Sequence, residues 1–203
     1  VLGGLMLVAY WYALRWANWR RLADATQLNV FLGTCVTLMF LWTMRTEIQP
    51  GFSWHLSGMV SMTLMFGWSF AVLGGSLALA AITFAGLNDW GGFSPSAVAQ
   101  VLVTASLARL ARAYLPKHYF IYVFVNAFFA AGLIAVIGAL ATTGLLLLVQ
   151  AYTLQELQDT YWLFLPLMFF PEAVLNGWVM SVLVGFKPSW VGSFRDDEYI
   201  DGK

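Results

Sequence analysis

Long apolar runs separated by short polar breaks dominate this chain, and most of the runs are of membrane length. Val1–Trp16 is the first, followed by a polar connector from Asn18 to Gln27 that carries Arg20 and Arg21. Leu28–Met44 is the second, and Arg45–Ser53 reads as a loop around a Pro50-Gly51 turn. Trp54–Leu87 stays apolar far beyond the ~20 residues that cross a bilayer. It is one tilted helix, or two helices broken near Gly67–Ser69 or Gly74-Gly75. A polar turn, Asn88–Pro95, precedes a run from Ser96 to Ala113. Phe120–Val149 is another long run, followed by an acidic loop with Glu156 and Asp159, and Tyr161–Phe186 is the last. The pattern predicts an all-α, polytopic transmembrane bundle over 1–186 and a short polar tail over 187–203.

Charge placement decides between one crossing and two in the long third run. Basic residues gather in three places: Arg15, Arg20 and Arg21; Arg109, Arg112 and Lys117; and Lys187, Arg195 and Lys203. Only Arg45 stands apart. Cytoplasmic loops carry the excess of Lys and Arg, and all three clusters share one face only if Trp54–Leu87 crosses twice. The expected layout is therefore about seven spans, with the N-terminus outside and the C-terminus and tail cytoplasmic. Trp16, Trp19, Trp42, Trp54, Trp90, Trp162 and Trp190 fall near run ends, as an aromatic belt would place them.

Composition supports the same class. Apolar residues make up 61% of the 203 residues and charged ones 10%, which is too little polar surface to cover a soluble core of this size. Mean hydropathy is +0.76. A formal net charge of zero gives no footprint for a nucleic-acid partner. Cys35, the one cysteine, excludes an intrachain disulfide and reads as a small buried hydrophobe. No removable signal peptide is evident, and Val1 as first residue leads us to expect a short stretch ahead of it. Ala127, Ala131, Ala135 and Ala139 recur every four residues, a ribbon suited to close helix packing within the bundle or against another membrane subunit.

Polar residues at depth carry the functional signal, because a charged side chain at a helix centre costs on the order of 3 kcal/mol. Glu172 lies near the middle of the last run, next to Pro171, and Asn176 is on its face four residues on. They either line a substrate or ion path, or form a structural cluster in which a protonated Glu172 bonds Asn176 and backbone. His55 opens the third run at the outer face, where an imidazole can serve as a metal ligand. Met59 and Met62 follow on its helical face and would offer thioethers to a soft ion such as Cu(I), although methionines at such spacing more often pack. His118 beside Lys117 reads as interfacial. Counted along their runs, His55 and Glu172 sit at different depths, and share a site only if the loop before His55 folds inward. The chain has no Walker, GxGxxG, HExxH or CxxC pattern, so it is read as no enzyme, and active transport would need a partner ATPase.

Several stretches resemble the CbiM-like membrane proteins, the substrate-specific components of cobalt and nickel energy-coupling-factor transporters. They are Pro-Gly-Phe-Ser-Trp-His-Leu-Ser-Gly (50–58), Leu-Met-Phe-Gly-Trp (64–68), Tyr-Phe-Ile-Tyr-Val-Phe-Val-Asn-Ala-Phe-Phe (119–129) and Phe-Pro-Glu-Ala-Val-Leu-Asn-Gly (170–177). The tail from Lys187 to Tyr199 also fits. The likeness is to a bacterial branch, energy-coupling-factor ABC transporter permeases, and implies seven spans in an inner membrane. It further implies a divalent ion, cobalt or nickel, held by an N-terminal Met-His and by a His in a Ser-x-His-Leu motif. Ser53-x-His55-Leu56 matches that motif, and the N-terminal ligands are not visible in a sequence that begins Val1-Leu2. Partners implied are a cytoplasmic ATPase and a coupling membrane subunit. The alternative is a non-transporting accessory subunit packed into a larger membrane complex.

Overall fold

The structure is a computed structural model that describes residues 1–49, 52–148, 153–160 and 164–200. It is a helical bundle built from α1 (Leu2–Trp16), α2 (Trp19–Leu22), α3 (Ala25–Thr43), α4 (Met59–Phe66), α5 (Trp68–Phe84), α6 (Trp90–Ser96), α7 (Thr104–Tyr114), α8 (Ala130–Leu148), α9 (Leu154–Thr160), α10 (Leu165–Phe186) and α11 (Asp196–Tyr199). Wide π-helical turns lead into α7 (Ala97–Val103) and α8 (Ile121–Phe129). Among the described residues, three helical stretches are long and apolar enough to cross a bilayer: Ala25–Thr43, Ile121–Leu148 and Leu165–Phe186. Trp68–Phe84 is apolar but shorter. Large apolar side chains such as Val8, Trp11, Phe40, Phe124 and Trp178 lie exposed on the outside, where lipid replaces water as solvent.

The long third run is divided at Gly67, one of the two places expected, and its first piece is far shorter than a crossing. α4 has eight residues, about 12 Å of helix, and every one of them is buried. Glycines bound it on both sides. Gly58 has φ 63° and Gly67 has φ 84°, values that disfavour any Cβ. Ahead of α4 the chain is extended: β1 (Thr46–Gln49) pairs antiparallel with β2 (Phe52–Trp54), Thr46 opposite Trp54. The loop expected over 45–53 is thus a hairpin, with Pro50 and Gly51 outside the described residues. The helix expected from Trp54 starts only at Met59.

Two other breaks are helical instead of irregular. Asp89 accepts a hydrogen bond from Gly91 N (2.9 Å) and starts α6 inside the expected 88–95 turn. In the acidic loop, Thr153 and Glu156 form a capping pair: Glu156 accepts from Thr153 N (2.8 Å), and Glu156 N donates to Thr153 Oγ1 (3.3 Å). That cap starts α9. The alanine ribbon packs within the bundle: Ala127, Ala131 and Ala139 are buried. Close approach there also uses glycine, since a Cβ on Gly132 would meet Phe169 at 2.7 Å and one on Gly177 would meet Phe128 at 2.7 Å.

Arg21, Arg112, Lys117 and Arg195, drawn from all three basic clusters, meet at one end of the bundle, beneath the C-terminus of α4, and Lys203 lies outside the described residues. Arg21 donates to Met65 O (2.7 Å) and Trp190 O (3.0 Å), Arg112 donates to Ser193 O (3.0 Å), and Lys117 pairs with Glu198 (2.7 Å). The tail is docked there. Gly192 N and Ser193 N donate to the Met65 and Leu64 carbonyls, and Phe194 and Tyr199 are buried against Tyr122. Of the expected belt, Trp16, Trp19 and Trp90 are exposed, while Trp162 is outside the described residues. Trp42 is corrected: it is buried, because its indole N–H donates to Ser57 O (2.9 Å). Cys35 is buried and unbridged.

Candidate functional site

A short helix buried at both ends needs partners for its terminal backbone groups, and in a bilayer these must come from protein. Glu172 and Asn176, one turn apart on α10, supply them at the N-terminus of α4. Glu172 Oε2 accepts from Ser57 N and Oε1 from Gly58 N, both at 2.8 Å. Asn176 Oδ1 accepts from Ser61 N (2.8 Å) and Ser61 Oγ (2.7 Å). Asn176 Nδ2 donates back to Glu172 Oε1 (2.8 Å) and to Glu172 O (2.9 Å). Both side chains are buried. Glu172 acts here as an acceptor throughout, at the positive end of a helix. These contacts make the pair a structural clasp on the start of α4, in which the Glu172 carboxyl oxygens receive hydrogen bonds from three N–H donors.

The same clasp pulls the segment before α4 inward, and that brings His55 and Glu172 to one place. Both line a cavity of about 120 Å³, together with Trp42, Ser57, Gln100 and Thr104. The depths that separated them in the sequence belong to a helix starting at Trp54. The real chain descends through the hairpin and residues 55–58 first.

His55 sits with each ring nitrogen facing an oxygen. Nε2 lies 3.2 Å from Gln100 Oε1, and Nδ1 lies 3.3 Å from Leu56 O. A neutral imidazole has one N–H, so one of the two nitrogens turns a lone pair toward its neighbour. Trp42 packs beside the ring, centroids 5.6 Å apart. Gln100 belongs to the π-helical turn Ala97–Val103, whose extra residue per turn re-aims side chains relative to α7. Thr104 ties that turn down through its hydroxyl to the Gln100 carbonyl. The sequence reading missed Gln100, although it is an uncharged polar residue inside an apolar run, the same signal that singled out Asn176. Ser57 and Trp42 carried no such signal.

Met59 and Met62 do not line this cavity. Both are fully buried, packed where Gly75 and Gly74 leave room: a Cβ on Gly75 would lie 2.8 Å from Met59 Sδ, and one on Gly74 would lie 2.2 Å from Met62 Cε. Among the described residues, no group of three or more His, Cys, Asp or Glu is placed to hold an ion. His118 is at the opposite end, where its Nδ1 accepts from Phe120 N (3.2 Å).

Comparison with known proteins yields one match. A family model, CbiM, described as the cobalt uptake substrate-specific transmembrane region, matches residues 1–190. No curated protein and no solved structure matches.

Proposed function

From the premise that the chain belongs to the CbiM family, the substrate-specific transmembrane regions of cobalt uptake, we propose that it is the substrate-capture component of an energy-coupling-factor-type transporter. Its substrate is a divalent transition metal such as cobalt or nickel. The observation that carries this is the seating of His55. An imidazole nitrogen and an amide oxygen stand 3.2 Å apart in a cavity. Two donors each about 2.1 Å from one ion stand about 3 Å apart when adjacent in its shell. His55 is the nitrogen donor and Gln100 the neighbouring oxygen. Glu172 lines the cavity, and together with Asn176 it holds the entry segment.

In this reading the chain crosses a bacterial inner membrane seven times, α4 counting as a half-length pass. The cavity faces outside and the basic end faces the cytoplasm. It is no enzyme; a cytoplasmic ATPase and a coupling membrane subunit supply the energy. The donor set favours a second reading, a non-transporting subunit of a larger membrane complex, because one histidine alone holds a transition metal weakly.

Equilibrium dialysis of the purified protein against Co²⁺ and Ni²⁺, with His55→Ala as control, separates the two. Metal near one equivalent, lost in His55→Ala, is the expected result. No retained metal, with stable co-purification in a complex lacking an ATPase, would sink the transport reading.

A further inference from the structure

The basic end holds a second recess, of about 470 Å³, where α1, the α4–α5 elbow and α7 meet. Arg21, Arg109 and Arg112 line it, from two separate parts of the chain, and among the described residues no carboxylate does. Arginines at this end of a membrane protein satisfy the positive-inside rule with no ligand at all. These differ in what surrounds them. Arg21 is committed, with its guanidinium on Gln27, Met65 O and Trp190 O. Arg112 uses two of its nitrogens on Ser193 O. Among the described residues Arg109 makes no hydrogen bond or ion pair, and its guanidinium lies over the Trp68 ring at 6.0 Å. Three positive charges thus face one concavity with donors to spare.

The backbone adds to the same field. Gly67 breaks the helix at φ 84°, so α5 begins in the wall of the recess, and no side chain caps it. Trp68, Ser69 and Phe70 line the recess, and as the first residues of a seventeen-residue helix their N–H groups precede its hydrogen-bond ladder. Tyr12 and Trp16 form the outer rim, with Tyr12 edge-on to Trp68 at 5.5 Å. Beyond them Val8 and Trp11 are exposed on α1. An anion in the recess therefore has an aromatic rim and an apolar helix face continuing from it.

We propose that this recess binds the phosphate of an anionic phospholipid headgroup, with the acyl chains lying along the exposed face of α1. The arginines and the start of α5 recognise the phosphate, a combination known from basic pockets between transmembrane helices. The rim of Tyr12 and Trp16 selects a lipid over a free anion. The site is at the far end from the His55 cavity and stands independently of metal capture.

Short-chain phosphatidylglycerol, phosphatidylcholine and inorganic phosphate, each titrated into the protein in a neutral detergent and read by native mass spectrometry and thermal shift, test the proposal. One phosphatidylglycerol should bind and raise the melting midpoint, and phosphatidylcholine should not. Losing one charge-assisted contact should weaken binding about tenfold in Arg109→Gln, and Arg20→Gln should match wild type. Ser69→Asp, which puts a carboxylate in the recess, gives a second variant should Arg109→Gln fold poorly, and should abolish binding. Equal binding of both lipids, wild-type affinity in Arg109→Gln or in Ser69→Asp, or inorganic phosphate binding as tightly as phosphatidylglycerol would each overturn it.

Discussion

Glu172 shows how one carboxylate can hold a fold together inside a membrane. It satisfies two backbone donors at the start of α4 and a third from Asn176. Removing an acceptor from buried donors costs about 1–3 kcal/mol for each group left unpaired. Glu172→Ala should therefore lower stability by at least about 3 kcal/mol, read as thermal or denaturant unfolding in detergent micelles. Glu172→Gln keeps one carbonyl oxygen and should fall between the two. A wild-type unfolding midpoint for Glu172→Ala would show that the clasp does not stabilise the bundle. Gly192 sets a second residue-scale test. A Cβ there would lie 2.0 Å from Arg21 Nη1 and 3.0 Å from Met65 O, so Gly192→Ala should displace Arg21 and loosen the tail, seen as faster hydrogen exchange at Gly192 and Ser193.

At the scale of elements, α4 is the unusual part. Eight residues are too few to stabilise a helix by their own ladder, and the element persists because each end is capped from elsewhere. Glu172 and Asn176 serve one end, Arg21 and the tail backbone the other. The two bounding glycines allow contrasting tests. Gly67 has φ 84° and ψ 169° with open space around it, so Gly67→Ala isolates backbone strain, about 1–3 kcal/mol. Gly58 has φ 63° and a Cβ there would sit 2.9 Å from Leu38 Cδ2. Gly58→Ala sets a packing clash on a left-handed position that is less restricted to glycine than that of Gly67, so each variant should unfold more readily than wild type. A wild-type unfolding midpoint for either would contradict this account.

For the molecule as a whole, the docked tail and the convergence of the basic clusters define one end of the bundle. Lys117 Nζ, 2.7 Å away, holds the Glu198 carboxyl below its ordinary value. A depressed acid contributes its stabilisation above its unfolded pKa and loses it as pH falls through the folded one. Tail docking should be complete at neutral pH and weaken on acidification below the usual glutamate range, measured as hydrogen exchange over 196–200. Salt should weaken it too, since both partners are partly exposed. The seven-pass layout has its own test. Leu87→Cys should label with an impermeant maleimide added to intact cells, and Arg20→Cys only after the membrane is permeabilised, the buried Cys35 staying silent. Labelling of both in intact cells would refute the layout.

Much of this protein could be read from its residues in order. Apolar run length and the scarcity of charge require a multi-pass membrane bundle, because lipid accepts little else. The grouping of Arg and Lys anticipated the shared basic end. Glu172, Asn176 and His55 stood out because each polar group in an apolar run needs a reason to be there. Motifs in several runs pointed to the family that the match over residues 1–190 shows. Three-dimensional contacts decided the rest. Where Trp54–Leu87 breaks depends on what caps the fragments, and those caps lie more than a hundred residues away at Glu172 and Asn176. The same contacts draw His55 down beside Gln100 and Glu172. Apolar periodicity reports which residues avoid water, and says nothing about which distant backbone groups a buried side chain will satisfy.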